Sequence, residues 1–371
     1  MKSPIKLRAG LIGLALAFYL LIQVLAQFPN FVEDYYSNGL YPLIALVVSN
    51  VSGLFPFSLS EAAFWSILLF GIPFVIRRIR RKRMKFDRIF LNLLTTLSTF
   101  YVWFHLFWGI NYLRPPLRTK LQLDAVQLEI DAFDSTFANI IRRANDLNLG
   151  YSIQDIRHIN SLIDSSYNVV LQEFGLKPIP HHIGAKSFAF NWLLNATTTS
   201  GWFSPFFHEI HFNSDLLIFE LPFVLAHEKA HQLGYTNEAD ANFLAHLVCV
   251  NTHEPLIQYS GYFQVLGYFL GDVRKYPDKN KHYLALLKEG VKLDLRAVQE
   301  RWQSHAGLVS KASYKFYDLY LKANDVKEGI ASYSWVVGLI VRYYQKEKSI
   351  AGTRHSEKIF LKSTDESRSS Q

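Results

Sequence analysis

Cysteine is nearly absent from this 371-residue chain: it holds one, Cys249, which excludes an intramolecular disulfide framework. Its setting, "LAHLVCV", reads as a buried thiol on an apolar helix. No repeat period runs through the sequence, so a solenoid or propeller array is excluded. Charge is missing altogether between Ala9 and Phe28, and hydrophobic residues make up 50% of the chain, too many for a disordered protein. The positive excess is confined as well. The segment "RRIRRKRMK", Arg77 to Lys85, carries seven basic residues and accounts for all but one of the formal net charge of +8. That leaves no broad basic surface, and nucleic acid is not an expected partner.

Three stretches have the length and apolarity of membrane spans, which need about 20 residues. Residues 9–28 follow a basic start with Lys2, Lys6 and Arg8. A cleaved signal peptide ending at "VLA" before Gln27 is the competing reading, but its apolar region would run only about 7–15 residues. An uncleaved anchor is therefore expected. Residues 57–76 form a second span with one charge, Glu61, near its start, and residues 89–109 a third, with Tyr101, Trp103, Trp108 and Tyr112 towards its far end. Such aromatics favour the headgroup boundary. Between the first two spans, "LYPLIALVVSNVSGLF" is apolar but interrupted, as in a re-entrant or interfacial helix. The basic segment between spans two and three fits a cytoplasmic loop in contact with anionic lipid headgroups. The chain is then expected to be a multi-pass protein of the cell membrane, residues 1–112, with everything after span three outside.

Residues 113–345 read as an α+β domain, and residues 346–371 as a polar tail. Two amphipathic helices are expected near Asp124–Leu147 and Ile153–Phe174, the second capped by Ser152 with Asp155 three residues on. From Lys177 to Asn213 short β-type runs appear, notably "FFHEIHFN", Phe206 to Asn213. Helical patterning resumes at about Ser214 and continues to about Gln345.

The chemistry concentrates in "AHEKAHQLGYTNEADANFLAH", Ala226 to His246. Lys, Glu and His interrupt an otherwise buried helix, where each is costly unless paired. His227 and His231 stand four apart, on one helical face, and can hold one ion together. Glu228 is placed to take a proton from water at that ion, the H-E-x-x-H arrangement of zinc hydrolases. A catalytic zinc usually has three protein ligands and an open fourth position. Gly234 can reverse the backbone after the helix, Asn237 can cap the next one, and Glu238 would then return over the histidines as third ligand. Asp240 and His246 are the rivals for that role. Asp240 also suits a helix start, and His246 also suits a structural position.

The stretch "HEKAHQLGYTNEADAN" resembles the zincin superfamily of zinc metallopeptidases. "EADAN" looks like the E-x-x-A-[DN] helix of gluzincin-type membrane peptidases, in which the glutamate is a zinc ligand and the residue four later, here Asn242, supports a ligand histidine. The "HExxHxxG" start looks metzincin-like. The gap from His231 to Glu238 is shorter than gluzincins have, and the only methionines, Met1 and Met84, supply no methionine turn of the metzincin kind. Taken whole, three spans, an exit "WGINYLRPPL" and a later "HExxHQxGxxxExxAN" are similar to an uncharacterised family of bacterial membrane proteins in the zincin clan. The resemblance implies a zincin-like domain with a small sheet and a mostly helical C-terminal half. It makes "FFHEIHFN" a sheet edge for substrate pairing, where His208, Glu209 and His211 would border the cleft, while each taken alone reads as an ordinary strand residue. Tyr333 is a candidate donor to a developing oxyanion.

The expected function is a membrane-anchored zinc peptidase: Zn²⁺ on His227, His231 and Glu238, Glu228 as general base, and a peptide, protein or cell-wall cross-link as substrate. The alternative is a non-catalytic sensor or scaffold that keeps the fold with a closed structural zinc or none. Glu228 argues against it, because a structural site needs no base beside its ligands.

Overall fold

The computed structural model describes residues 3–81, 86–148, 155–177, 184–323 and 335–349. Among the described residues, three helices are long and apolar enough to cross a membrane: Lys6–Leu25, Leu59–Arg80 and Asp87–Phe107, and little of any of them is covered by protein. The chain is a membrane protein with transmembrane helices. The second span runs four residues past its expected end, taking in Arg77, Arg78 and Arg80. Arginine propagates a helix well, and cations favour a helix C-terminus. Between spans one and two the chain is helical from Pro29 to Gly53, including a π-helix, Val32–Leu40, and an α-helix, Tyr41–Gly53.

The second span is fastened to the rest of the molecule at its start. Ser58 caps it, accepting from the Glu61 N–H at 3.0 Å. Glu61, its one acidic residue, accepts the backbone N–H groups of Ala189 and Phe190 at 2.9 and 3.1 Å. Glu209 accepts from the Leu59 and Ser60 N–H groups, both at 2.9 Å, and from Lys186 Nζ at 2.7 Å. The Leu59 and Ser60 N–H groups are orphan donors of a helix N-terminus, met here by a carboxylate.

The rest is mostly helical, with one small sheet. The two amphipathic helices are Ala132–Leu147 and Ile156–Glu173. The first starts later than expected because Gln345 engages the chain before it, bonding Gln127 O at 2.7 Å and Glu129 N at 3.3 Å. The second is capped by Asp155, which accepts from the Arg157 N–H at 2.9 Å. Ser152, Tyr333 and residues 350–371 lie outside the described residues.

The sheet has the order β1-β3-β2, with β1 Lys186–Ser187, β2 Gly201–Ser204 and β3 Glu209–Phe212. β3 pairs with β1 in parallel and with β2 antiparallel. This corrects the reading of "FFHEIHFN". Its strand is the central one and has both ladder sides occupied, so it offers no edge to a substrate. His208 takes a left-handed backbone (φ +51°) and delays the strand to Glu209. His208, Glu209 and His211 are fully buried and border no cleft.

The core gathers around the helices Leu221–Gln232, Glu238–Val250 and Pro255–Val273, with Leu225, Ala226, Phe243, Val248, Leu266 and Phe269 sealed from solvent. Every residue from Glu238 to Cys249 is buried, as befits a helix packed on all sides. The Cys249 thiol is among them, and burial pushes its pKa up.

Candidate metal centre

The motif helix, Leu221–Gln232, carries Pro222 in its first turn, where a missing N–H costs nothing. It stops at Gly234, whose φ of +83° is left-handed. A Cβ there would also stand 2.9 Å from the Asn111 side chain, so conformation and space both demand glycine. Asn237 caps the following helix, its Oδ1 accepting from the Ala239 and Asp240 N–H groups at 2.9 and 3.3 Å. Glu238 thereby stands at the first position of that helix, folded back over the motif.

Glu238 meets both histidines. Its Oε2 lies 3.3 Å from His227 Nε2, and its Oε1 lies 3.5 Å from His231 Nε2. One ligand atom from each of the three residues falls within 4.8 Å of the others. His231 Nδ1 lies 2.8 Å from the Tyr235 carbonyl. A carbonyl only accepts, so Nδ1 carries a proton and Nε2 is the nitrogen turned to the cluster.

Burial alone would lower the His231 pKa, yet the Glu238 and Glu228 carboxylates outweigh it and raise the group to about 9. Burial would likewise raise Glu238, but the two imidazoles hold it well below the usual carboxylate range. The three side chains thus favour a positive charge between them, and a proton or a cation can supply it.

Glu228 has a different environment. It is buried, and desolvation raises its pKa, opposed by the neighbouring His227 and His231. The Phe203 N–H donates to it. Gly201, in the edge strand β2, lies so close that a Cβ would be 2.7 Å from Glu228 Oε1 and from Val224 Cγ1. Gly201→Ala is therefore expected to displace Glu228 and to cost about 1–3 kcal/mol in overpacking. Any bound metal should stay at the wild-type level, while any hydrolytic activity falls at least about tenfold. Parallel metal analysis and turnover measurements on the variant check this.

The rivals for the third ligand position stand elsewhere. Asp240 Oδ2 accepts the Leu117 N–H at 3.0 Å, and burial pushes its pKa up to about 6. His246 is fully buried between the Gly261 carbonyl, 3.2 Å from Nδ1, and the Tyr344 hydroxyl, 2.9 Å from Nε2. Asn242 Oδ1 accepts from the Tyr268 hydroxyl at 3.0 Å, and His227 Nδ1 has no hydrogen-bond partner among the described residues. The support that the gluzincin likeness assigned to Asn242 therefore goes to a tyrosine.

Tyr268, Gly201 and Trp108 are the neighbours that sequence reasoning missed. Burial raises the pKa of the Tyr268 phenol, and the nearby Glu238 charge adds to the rise. Nothing local marks Tyr268, which reads as one aromatic among many in Pro255–Val273. Trp108 Nε1 donates to the His231 carbonyl at 2.9 Å. It had registered only as a headgroup-boundary aromatic.

Comparison with known proteins supplies a family and no activity. No curated protein and no solved structure matches the chain. Residues 36–341 match a family described as "Protein of unknown function (DUF3810)". The match begins in the π-helix before span two and takes in spans two and three, the sheet, the motif helix and Glu238. Extending over most of the sequence, it places this chain in the DUF3810 family.

Proposed function

We propose that the chain is a membrane-anchored zinc-dependent metallohydrolase, most simply a peptidase, with its domain outside the cytoplasmic membrane. The observation that carries this is the convergence of His227, His231 and Glu238 within 4.8 Å, beside a buried carboxylate, Glu228, that is not one of the three. Two imidazoles and a carboxylate suit Zn²⁺ and leave a coordination position free. The Tyr235 carbonyl on His231 is the outer-shell partner that zinc-ligating histidines usually have. When bound, zinc would polarise the scissile carbonyl and acidify a water.

The chain's own residues would do the proton work. Glu228, its pKa raised by burial, is suited to receive a proton from water and pass it to the leaving amine. Its contact with Gly201 and the Phe203 N–H restricts where that proton can be delivered. The edge strand β2 carries both of these contacts and has one unpaired side, so an extended polypeptide could lie along it by strand addition. The location outside the membrane follows from the basic segment at Arg77–Lys85, which favours the cytoplasmic side.

Elemental mass spectrometry on detergent-purified protein tests the proposal. Wild type is expected to hold about one zinc per chain, His231→Ala to lose it and Glu238→Ala to weaken it. Zinc-free wild type would leave the scaffold alternative standing.

A further inference from the structure

The last turn of the motif helix is capped by residues from the membrane boundary. A helix leaves its final carbonyls without intrahelical donors, and here three successive ones are taken by side chains close to the spans. The His231 carbonyl accepts from Trp108 Nε1 at 2.9 Å, the Gln232 carbonyl from the Tyr41 hydroxyl at 2.6 Å and the Leu233 carbonyl from Arg114 Nη1 at 3.4 Å. Trp108 directly follows Phe107, the last residue of span three. Tyr41 begins the helix Tyr41–Gly53 and is fully buried.

That helix is amphipathic in the reverse sense. Tyr41, Ala45, Ser49 and Ser52 face the protein, while Leu43, Val47 and Val51 are 61%, 62% and 52% exposed on the opposite side. Ser52 donates to the Ser49 carbonyl at 3.0 Å, and Ser49 to that of Ala45, so the inward serines are satisfied by their own helix. Water would select the opposite arrangement, and lipid selects this one. The helical run begins at Pro29, but its first half carries Glu33 and Asp34, and Glu33 is ion-paired with Arg114 and Lys120. The uncharged part, the thirteen residues Tyr41–Gly53, spans about 20 Å, too short for a hydrocarbon core of about 30 Å. Its two ends are both tied to the domain: Tyr41 to Gln232, and Ser52 through its carbonyl to Lys186 Nζ at 2.9 Å. The helix therefore lies along the bilayer surface, with the domain on one side and lipid on the other. A helix is about 10–12 Å across, so the end of the motif helix stands about one helix diameter above lipid.

We infer that the substrate is a polypeptide tethered to the same membrane and cut in its juxtamembrane stretch. This rests on the hydrolase reading above. A chain extends about 3.3–3.6 Å per residue, so the site reaches bonds within roughly the first ten residues beyond a membrane anchor. The reaction is simple hydrolysis: the amide C–N bond breaks, the hydroxyl of water joins the acyl carbon and the proton goes to the amine. No further reactant is needed.

The test uses full-length, zinc-loaded protein in phosphatidylethanolamine/phosphatidylglycerol vesicles. Val47→Cys is labelled with an environment-sensitive fluorophore, the native Cys249 being buried, and is challenged with spin-labelled quencher lipids. A quenched-fluorescent peptide library is then supplied either lipid-anchored or free, and the cut positions are read by mass spectrometry. The expected result is a severalfold-quenched label, cuts within about ten residues of the anchor and at least about tenfold faster cleavage of the anchored library. An unquenched label overturns the inference, as do cuts confined to distances beyond about twenty residues or equal rates on the free library. A quenched label with neither library cut overturns the hydrolase reading, and the substrate with it, while the placement of the site at the bilayer stands.

Discussion

Glu228→Gln is expected to lower hydrolytic turnover by about 100- to 10,000-fold, the usual contribution of a positioned general base, with zinc content and thermal stability unchanged. The substitution keeps the shape of the side chain and its capacity to accept from the Phe203 N–H. It removes only the ability to take up a proton. Because His227, His231 and Glu238 form their cluster without Glu228, metal binding should not respond. Turnover and metal content measured on one preparation separate the roles. Turnover equal to wild type would exclude Glu228 as the base, and a joint loss of zinc and activity would make it a ligand or a structural residue. A scaffold protein predicts a third pattern, with no turnover in wild type to lose.

The cluster of His227, His231 and Glu238 was legible in the sequence because its determinants are local. The spacing of His227 and His231, the left-handed turn at Gly234 and the cap at Asn237 all lie within twelve residues, and together they return Glu238 to the histidines. The spans were legible for the same reason, being continuous apolar runs. Long-range partners were hidden. Glu209 read as an ordinary strand residue until the start of span two, about 150 positions earlier, proved to hold its carboxylate. The central place of β3 depended on β1, a strand of two residues with no pattern to detect. Gly201 carries no mark of its contact with Glu228, since the constraint lies in the missing side chain and not in the turn. The three carbonyl caps on the motif helix join residues more than a hundred positions apart, and no periodicity could have announced them.

Lys229, the basic residue between the two histidines, gives the second large expectation. It is buried and ion-paired with Asp164 from the helix Ile156–Glu173. Burial lowers its pKa, and Asp164 opposes that shift. Asp164→Ala would leave an ammonium group in the core without its counter-charge, and such losses cost about 3–5 kcal/mol. In a domain of this size that amounts to a fall in melting temperature of roughly 10 °C, measurable by thermal unfolding in detergent. Combining Asp164→Leu with Lys229→Met should recover most of the loss, because an apolar pair can replace a buried ion pair at little cost. A single variant as stable as wild type would deny the pair any structural weight. The geometry adds a reason for its presence. At about 100° per residue, Lys229 projects roughly 160° away from both His227 and His231, so the pair holds the back of the motif helix while the histidines face Glu238. The double variant keeps all three cluster residues and should retain zinc. If it regains stability but binds metal poorly, the ion pair sets the rotation of the helix, which apolar packing alone does not fix.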